Sequence, residues 1–477
     1  MSERPNIVFI VTDQQRLDTI GAYGSSICKT PNIDRLAERG MRFTRAYTPC
    51  GLCSPVRASL LTGTYPHDHD ALTNNKLHPV RTELPPERDV LTPALKSAGY
   101  QMASIGKWHV NSEHDPVDFG YDRHVPLGAY AERRKQTGIP FLPEHNNYVV
   151  PTSATDSVDA SDCRQAFLTD ETIQTISDFN QSDDPFFVRL DFHGPHAPNV
   201  IPEPYASMYE PFAIPPWANY DDPLDEKPAV QREKRRHWGT DKMTWEDWQP
   251  IVAHYFGEIT LIDAQVGRVM DHLDTLGIAD DTAIVFTADH GDTMGAHRIW
   301  NKDYTMYDGI YHVPFIVSWP GVTSPGSTCD EYIHHFIDLT ATFPEIAGIQ
   351  APPNIHGSSL VSLMHGEAQN RVREAYCEFH GCHMGLYTLR MLQTDRWKYV
   401  LHTNDIDELY DHETDSDEMI NLAERPESAP ILKDLRSRIV DWMAKTDDHL
   451  YNEWMVYYLT DDLERAARAP GRMNTPW

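Results

Sequence analysis

The run Asn6-Ile7-Val8-Phe9-Ile10-Val11-Thr12, which leads into Asp13-Gln14-Gln15, decides the fold of this chain. It is almost entirely apolar and rich in β-branched residues, a pattern typical of a central parallel strand buried on both faces. Three later runs share this pattern and are also followed by polar residues: residues 102–106, 186–192 and 283–288. Because ligands bind at the carboxyl ends of strands in open α/β sheets, we expect the functional site where these four runs end.

Segments with a helical spacing of apolar residues separate the strand-like runs. They cover residues 91–99, 173–179 and 251–277, and the longest ends at a glycine. Strands that alternate with helices predict an α/β fold with one large, doubly wound, mostly parallel sheet. Residues 111–162 and 202–247 lack a clear period and form long excursions, which we interpret either as lids and specificity loops or as surface decoration.

The pattern changes near Arg371. Short strand-like stretches at residues 396–400 and 408–411, followed by an amphipathic helix pattern over residues 431–443, predict a small α+β domain. We therefore expect a catalytic α/β domain over residues 1–370 and a C-terminal domain over residues 371–477 with an antiparallel sheet and a helix. The aromatic tail could reach another subunit in a homo-oligomer or pack on its own body; it contains Trp454, Met455, Tyr457, Tyr458 and Leu459.

The 477 residues carry a formal net charge of −30. This charge opposes binding to nucleic acid and to anionic membranes, and any site for an anionic substrate must be a local concentration of cations. Seven cysteines in so long a chain do not indicate a disulfide scaffold. We find no signal-peptide pattern and no apolar stretch near the roughly 20 residues that span a bilayer, so we expect a cytoplasmic protein.

The second informative stretch is Cys53-Ser54-Pro55-Val56-Arg57-Ala58-Ser59-Leu60-Leu61-Thr62-Gly63. Pro55 suits the first turn of a helix and Gly63 its end. Residues four apart share a helix face, so Cys53 and Arg57 should point the same way, at a helix N-terminus that favours anions. This predicts a nucleophile beside an anion-binding guanidinium. Two plainer interpretations are a structural cysteine at a buried helix start and a redox or metal pair formed with Cys50.

The same stretch resembles the signature of the type I sulfatases of the alkaline phosphatase superfamily, which reads Cys-x-Pro-x-Arg and, after four further residues, Thr-Gly. The resemblance implies that a maturation enzyme converts Cys53 to formylglycine, an aldehyde used as its hydrate. It also implies the sulfatase fold and the hydrolysis of sulfate monoesters, aryl or carbohydrate, to an alcohol and inorganic sulfate.

Asp13, Gln14, Asp289 and His290 come from two strand ends that are far apart in the sequence. Carboxylate and amide oxygens suit a hard cation such as Ca²⁺ or Mg²⁺ better than they suit zinc. Each residue alone would more simply be part of a turn or a helix cap. The resemblance to sulfatases implies that the four hold a divalent cation, for which we expect Ca²⁺, with Mg²⁺ or Mn²⁺ as alternatives.

Two further segments resemble sulfatases and imply more site residues. In Gly106-Lys107-Trp108-His109, Lys107 and His109 would face the same side on an extended backbone, and the resemblance implies that they bind the sulfate and the formylglycine hydroxyl. In His193-Gly194-Pro195-His196, one histidine would contact the ester oxygen and protonate the leaving alcohol. The sequence does not decide between His193 and His196.

Lys302 lies in a segment that follows Asp289 as the second lysine segment of sulfatases does, and it would be the second sulfate-binding lysine. Asn74 would touch the ester. With Arg57 and Lys107, Lys302 would balance the charge of the sulfate, most usefully in the transition state.

Phosphonate monoester hydrolases and phosphodiesterases of the same superfamily are the alternative, since they also use formylglycine and share Arg57 and Lys302. In those relatives the positions of Lys107 and His109 tend to be Tyr and Thr, and the position of His193 tends to be aromatic. The residues of this chain therefore favour sulfate. A non-catalytic binding protein with the same fold has no support, because all residues of catalytic type are present.

Overall fold

The computed structural model describes residues 4–74, 80–140, 151–367 and 371–470. Its strands are β1 (Asn6–Asp13), β2 (Met41–Phe43), β3 (Gln101–Gly106), β4 (Arg123–Pro126), β5 (Ser153–Asp156), β6 (Phe186–Pro195), β7 (Asn199–Pro202), β8 (Thr282–Ala288), β9 (Phe315–Ser318), β10 (Ser327–Cys329), β11 (Glu374–Cys382), β12 (Gly385–Thr394), β13 (Trp397–His402) and β14 (Glu408–Asp411). Its α-helices are α1 (Pro31–Arg39), α2 (Cys53–Thr62), α3 (Pro66–His69), α4 (Thr92–Ser97), α5 (Gly128–Thr137), α6 (Arg164–Phe179), α7 (Ala229–Trp238), α8 (Trp245–Leu276), α9 (Asp308–Tyr311), α10 (His335–Ile346), α11 (Val361–Met364), α12 (Ala429–Thr446), α13 (Glu453–Thr460) and α14 (Leu463–Ala466).

The large sheet has the strand order β10-β2-β9-β8-β1-β6-β3-β4. β1 lies between β6 and β8 and runs parallel to both, with Ile10 opposite Leu190 on one side and Phe286 on the other. β3 and β4 continue the parallel arrangement, whereas β9 runs antiparallel to β8 and β2. The mostly parallel sheet confirms the predicted α/β class, and the four apolar runs of the sequence are β1, β3, β6 and β8.

Alternate side chains of β1 enter two separate hydrophobic clusters, one on each face of the sheet. Phe9 packs edge-to-face on Phe336 and Phe343 of α10, with ring centroids 5.9 and 5.3 Å apart. Ile10 belongs to the other cluster, together with Ile262 of α8. Burial on both faces is therefore the reason that β1 is a continuous apolar run.

The two excursions contain more regular structure than their sequences suggest. Residues 111–162 include β4, α5 and β5, and residues 202–247 include α7. The buried face of α5 carries Arg134, which pairs with Asp156, and that of α7 carries Lys234, which pairs with Asp303. These helices have no apolar period because their buried faces are polar and paired.

The C-terminal part of the chain forms an antiparallel sheet in the order β11-β12-β13-β14, covered by α12. This confirms the predicted C-terminal antiparallel sheet, while the domain boundary at residue 370 stays a prediction and falls next to residues 368–370, which lie outside the described residues. In the tail, Val456 and Leu459 of α13 are buried on α12, whereas Trp454 and Tyr458 are 68% and 59% exposed. Contact of the tail with another subunit also stays a prediction.

A buried network of charged groups joins the C-terminal sheet to α3 and to the segment that follows α12. Glu378 of β11 accepts hydrogen bonds from the backbone N–H and Nδ1 of His67, at 2.7 and 2.6 Å, and His67 belongs to α3, which follows α2. Arg390 of β12 pairs with Asp448 in a bidentate contact. The C-terminal sheet is therefore fixed to α3, which directly follows α2, and to Asp448 by ion pairs without solvent contact. Among the described residues, no helix is long and apolar enough to cross a membrane.

Candidate active site

The carboxyl ends of the central strands and the N-terminus of α2 meet at one place. Asp13 ends β1, Asp289 follows β8 and Lys107 follows β3, as the sequence predicts. Gly106 allows Lys107 to reach this place: the φ of Gly106 is +103°, and a Cβ atom there would lie 2.0 Å from the carbonyl oxygen of Asp191. Only glycine allows β3 to end so close to β6, with Lys107 N–H donating to that oxygen.

Cys53 is the first residue of α2 and has no exposed surface. Its Sγ lies 3.2 Å from His290 Nε2 and 3.7 Å from Asp13 Oδ1. Burial and the charge of Asp13 raise the pKa of the Cys53 thiol, but nearby cations, above all Lys107, more than offset both and hold this pKa well below its usual range. The helix N-terminus therefore lies in a positive environment that stabilises an anion at position 53.

Asn74 completes the N-terminus of α2. Its Oδ1 accepts a hydrogen bond from the backbone N–H of Ser54 at 2.9 Å, so it satisfies one of the free donors of the first turn. At the other end, Gly63 has a φ of +71° and donates to Ser59, as the predicted helix stop requires. Asn74 also lines the cavity described below. Its contact with the ester stays a prediction.

Arg57 lies one turn below Cys53 and is fully buried. Its guanidinium donates to Asp289 at 3.0 Å, to Asp191 at 2.6 Å and to Asp13 at 3.2 Å. One cation therefore fixes three carboxylates. The prediction that Arg57 faces the same region as Cys53 fits, but its contacts are with carboxylates, and it has no exposed surface with which to bind a substrate directly.

Two lysines approach from opposite segments of the chain. Lys107 Nζ donates to Asp13, and Lys302 Nζ donates to Oε1 of Gln14, whose Nε2 donates to Asp292. Both ammonium groups belong to residues that line a cavity, so they provide the local positive charge that a protein of net charge −30 needs at a site for anions.

The donors around Cys53 fit a divalent cation. Ligand atoms of Asp13, Cys53, Asp289 and His290 all lie within 4.8 Å of one another, and all four residues are buried. Burial and the charge of Asp13 raise the pKa of Asp289 to about 6, a direction that a bound cation would oppose. His290 Nδ1 contacts the carbonyl oxygen of Gly291 at 2.9 Å, so Nδ1 carries the proton and Nε2 offers its lone pair.

A cavity of about 680 Å³ opens above this cluster. It has the size of a small-molecule site. The predicted site residues that line it are Gln14, Asn74, Lys107, His109, His193, His196 and Lys302.

Lys107 and His109 do not lie on one regular strand, contrary to the prediction. β3 ends at Gly106 and His109 has a φ of +55°, so the backbone between the two residues is not extended. Lys107 is buried against Asp13, whereas His109 is exposed at the cavity. Both residues line the same cavity, but strand alternation is not the reason.

The two candidate leaving-group histidines differ in their bonding. Their rings lie 5.0 Å apart. His196 Nδ1 contacts its neighbour's carbonyl oxygen, that of Ala197, at 2.6 Å, so this nitrogen carries the proton. His193 Nδ1 is buried and has no hydrogen-bond partner within the described part of the chain. Burial, reinforced by neighbouring cations, lowers the pKa of both rings, to about 3 for His196.

The sequence interpretation missed several residues of this site. One of them is Asp191, whose carboxylate accepts hydrogen bonds from Arg57 and Arg189. The sequence feature that could have revealed it is a single carboxylate inside an apolar strand run. The cavity also contains residues from the excursions and from the C-terminal sheet, for which the sequence offered no signal of a site: His124, Pro126, Leu127, Trp238, Cys382 and His383.

The sequence model of the sulfatase family matches residues 5–349, most of the chain. The chain belongs to the sulfatase family. A second model, that of the C-terminal region of N-sulphoglucosamine sulphohydrolase, matches residues 295–445. The sulfatase family membership makes this protein a sulfuric ester hydrolase and confirms the resemblance seen in the motif at Cys53. Cys50 and Cys53 form no disulfide in the structure, and the alternative of a redox or metal pair between them stays an interpretation of the sequence.

Relatives of this sulfatase match over nearly its whole length. The chain is 29% identical to the uncharacterized sulfatase YidJ of Escherichia coli, over 94% of this chain and 88% of that protein. It is 28% identical to a Δ4,5-hexuronate-2-O-sulfatase of Bacteroides thetaiotaomicron, over 94% and 90%. Among solved structures, the phosphonate monoester hydrolase of Agrobacterium radiobacter has a TM-score of 0.82 at 26% identity, over 94% and 97% of the two chains.

Proposed function

We propose that this sulfatase cleaves sulfate monoesters with a formylglycine made from Cys53 and with a divalent cation held by Asp13, Asp289 and His290. The observation that supports this most is the position of Cys53 Sγ at the start of α2, beside His290 Nε2 and Asp13 Oδ1. Formylglycine would supply a hydrated oxygen nucleophile, and the cation would polarise a sulfate oxygen. Gln14 stays the predicted fourth ligand of the cation. To bind it, Gln14 Oε1 would have to give up the hydrogen bond that it accepts from Lys302.

Lys107 and Lys302 would bind the sulfate oxygens. Their ammonium groups lie on two sides of the cluster and are held by Asp13 and Gln14. Because the charge on the sulfate oxygens redistributes as the ester bond breaks, fixed cations stabilise the transition state more than a flexible solvent would. Arg57 would act as a positioning residue, since it holds Asp13 and Asp289 and has no exposed surface.

We assign protonation of the leaving alcohol to His193. The Nδ1 proton of His196 is committed to the carbonyl oxygen of Ala197, which leaves a lone pair on its Nε2. The imidazole of His193 has no such bond at Nδ1, so either ring nitrogen can carry a proton, and a bound sulfate ester, which is an anion, would favour the imidazolium that can give its proton to the ester oxygen. His196 would then accept a hydrogen bond or orient the substrate.

Mass spectrometry of the peptide that contains Cys53 tests the formylglycine. The protein should be purified from its native host or co-expressed with the formylglycine-generating maturation enzyme, its expected partner. We expect the aldehyde or its hydrate at position 53. An unmodified thiol in protein from the native host would contradict the proposal.

The fold similarity to a phosphonate monoester hydrolase favours a second candidate activity, the cleavage of phosphonate monoesters or phosphodiesters at the same site. Both reactions need cations around a tetrahedral anion. A substrate panel separates them: we expect kcat/KM to be higher for sulfate esters than for phosphonate monoesters and phosphodiesters. A large preference for either phosphorus ester would reverse this ranking.

A further inference from the structure

One part of the 680 Å³ cavity is built from residues that have no role in the proposed sulfate chemistry: Trp238, Trp300, Asp303, Cys382 and His383. They form one cluster. The Trp238 ring lies 5.0 Å from that of Trp300 and 5.6 Å from that of His383, and the Asp303 carboxylate lies within 4.8 Å of ligand atoms of Cys382 and His383. Since Asp303 directly follows Lys302, this cluster adjoins the sulfate-binding lysine.

Three side chains of this cluster carry polar atoms without a hydrogen-bond partner among the described residues. They are the indole N–H groups of Trp238 and Trp300 and Oδ2 of Asp303, whose Oδ1 lies 3.3 Å from Lys234 Nζ. The three residues are only 4%, 2% and 1% exposed. Leaving a buried polar group without a partner is unfavourable, and native proteins keep few such groups. Their concentration beside one cavity indicates a ligand that supplies the missing hydrogen bonds.

The charge around Asp303 limits what that ligand can be. Lys234 Nζ, which is fully buried, lies 3.3 Å from Asp303 Oδ1 and already supplies a positive charge there. This argues against a metal ion between Asp303, Cys382 and His383. The described residues that line the cavity include Lys107 and Lys302 but no arginine, and both lysines are engaged at the sulfate end.

We propose that Trp238, Trp300 and Asp303 form the subsite for the alcohol half of the substrate and select an uncharged, hydroxyl-bearing sugar ring. The inference rests on the proposed hydrolysis of sulfate esters at this cavity. Hydroxyl groups both donate and accept, so they can satisfy the carboxylate, which only accepts, and the indole N–H groups, which only donate. A simple aryl group would leave all of them unpaired, and the carboxylate of a uronate, which only accepts, could not donate to Asp303 Oδ2.

The test compares three substrate classes with enzyme that carries formylglycine: neutral hexose monosulfates, glucuronate monosulfates sulfated at the same ring positions, and 4-nitrophenyl sulfate. The variants are Asp303→Asn, which keeps shape and removes charge, and Trp300→Phe, which keeps a ring and removes the N–H group. Asp280→Asn, at an exposed turn after α8, is the matched control.

We expect the wild type to prefer neutral hexose sulfates over glucuronate sulfates. Asp303→Asn should lower the ratio of the two kcat/KM values by roughly 10- to 100-fold, the range expected when a hydrogen bond to a charged group is lost. Trp300→Phe should lower the ratio of neutral hexose sulfate to 4-nitrophenyl sulfate by roughly 5-fold. Asp280→Asn should leave both ratios unchanged.

A binding measurement gives a readout that does not depend on turnover. In the Cys53→Ala variant, a neutral hexose monosulfate should change the tryptophan fluorescence, and Asp303→Asn in that background should weaken the binding by a similar factor. Equal effects of Asp303→Asn on all three substrate classes, or a wild-type preference for glucuronate sulfates, would overturn the subsite alone. Formylglycine-bearing enzyme that hydrolyses no sulfate ester would overturn the proposed function and the subsite with it.

Discussion

Replacing Glu378 by Gln should lower the melting temperature of the protein, and it should do so most strongly in a limited pH window. Glu378 has no exposed surface and accepts two hydrogen bonds from His67. His67 Nε2 in turn contacts the carbonyl oxygen of Thr446 at 3.0 Å. Both ring nitrogens of His67 therefore face acceptors, so the ring is a buried imidazolium whose counter-ion is Glu378.

The magnitude follows from the burial of this pair. Breaking a fully buried ion pair costs about 3–5 kcal/mol, and the lower end applies because the Gln amide oxygen can still accept from the His67 backbone N–H. For a chain of 477 residues, an unfolding entropy of about 2 cal/mol/K per residue gives about 1 kcal/mol per kelvin. We therefore expect the melting temperature of Glu378→Gln to fall by about 3 °C.

The sign of the pH dependence follows from the two partners. Burial opposes the charge on His67, but Glu378 more than offsets it and raises the pKa of His67 above 6.5, so its contribution is complete below pH 6.5 and is lost as the pH rises through the folded-state pKa. Burial likewise opposes the charge on Glu378, but His67 and Arg390 hold its pKa well below 4.5, so its contribution is complete above pH 4.5 and is lost in acid. The difference between wild type and variant should be largest between these two values.

Differential scanning calorimetry at pH 6.0 and at pH 9.5 measures this effect. The fall in melting temperature should be about 3 °C at pH 6.0 and clearly smaller at pH 9.5. Glu424→Gln, at an exposed position, is the matched control and should shift the melting temperature by less than 0.5 °C, in keeping with about 0.5 kcal/mol for surface substitutions. A shift below 1 °C at pH 6.0, or equal shifts at both pH values, would refute the buried ion pair.

Three further predictions concern the active site. Cys53→Ala should lower kcat for 4-nitrophenyl sulfate by at least about 10³-fold, because no formylglycine can form, and mass spectrometry should show an otherwise intact chain. Treatment with EDTA should abolish turnover, and recovery on titration with Ca²⁺, Mg²⁺ or Mn²⁺ in parallel would identify the cation; full activity in excess chelator would contradict the cation site. His193→Ala should lose more activity as the pKa of the leaving alcohol rises, whereas His196→Ala should lose a constant factor; the opposite result would exchange their roles.

Much of the fold could be predicted because burial constrains composition. β1, β3, β6 and β8 begin and end within three residues of the apolar runs, since a strand covered on both faces must be apolar. α8 could also be predicted, because its buried face repeats apolar residues at helical spacing and Gly277 ends the helix. By contrast, α7 presents Gln231 and Lys234 to its buried face, and such a face leaves no hydrophobic period in the sequence.

The chain sequence by itself predicted the helix that begins at Cys53 and the polar residues expected around it, because each belongs to a short local pattern: Cys53, Arg57, Asp13, Lys107, His193, Asp289 and Lys302. It could not show that Arg57 contacts three carboxylates. Nor could the sequence show that Trp238 of α7 and His383, between β11 and β12, lie close to Asp303. Those contacts join residues more than 40 positions apart, and only the packing of the two sheets and α7 around the cavity decided them.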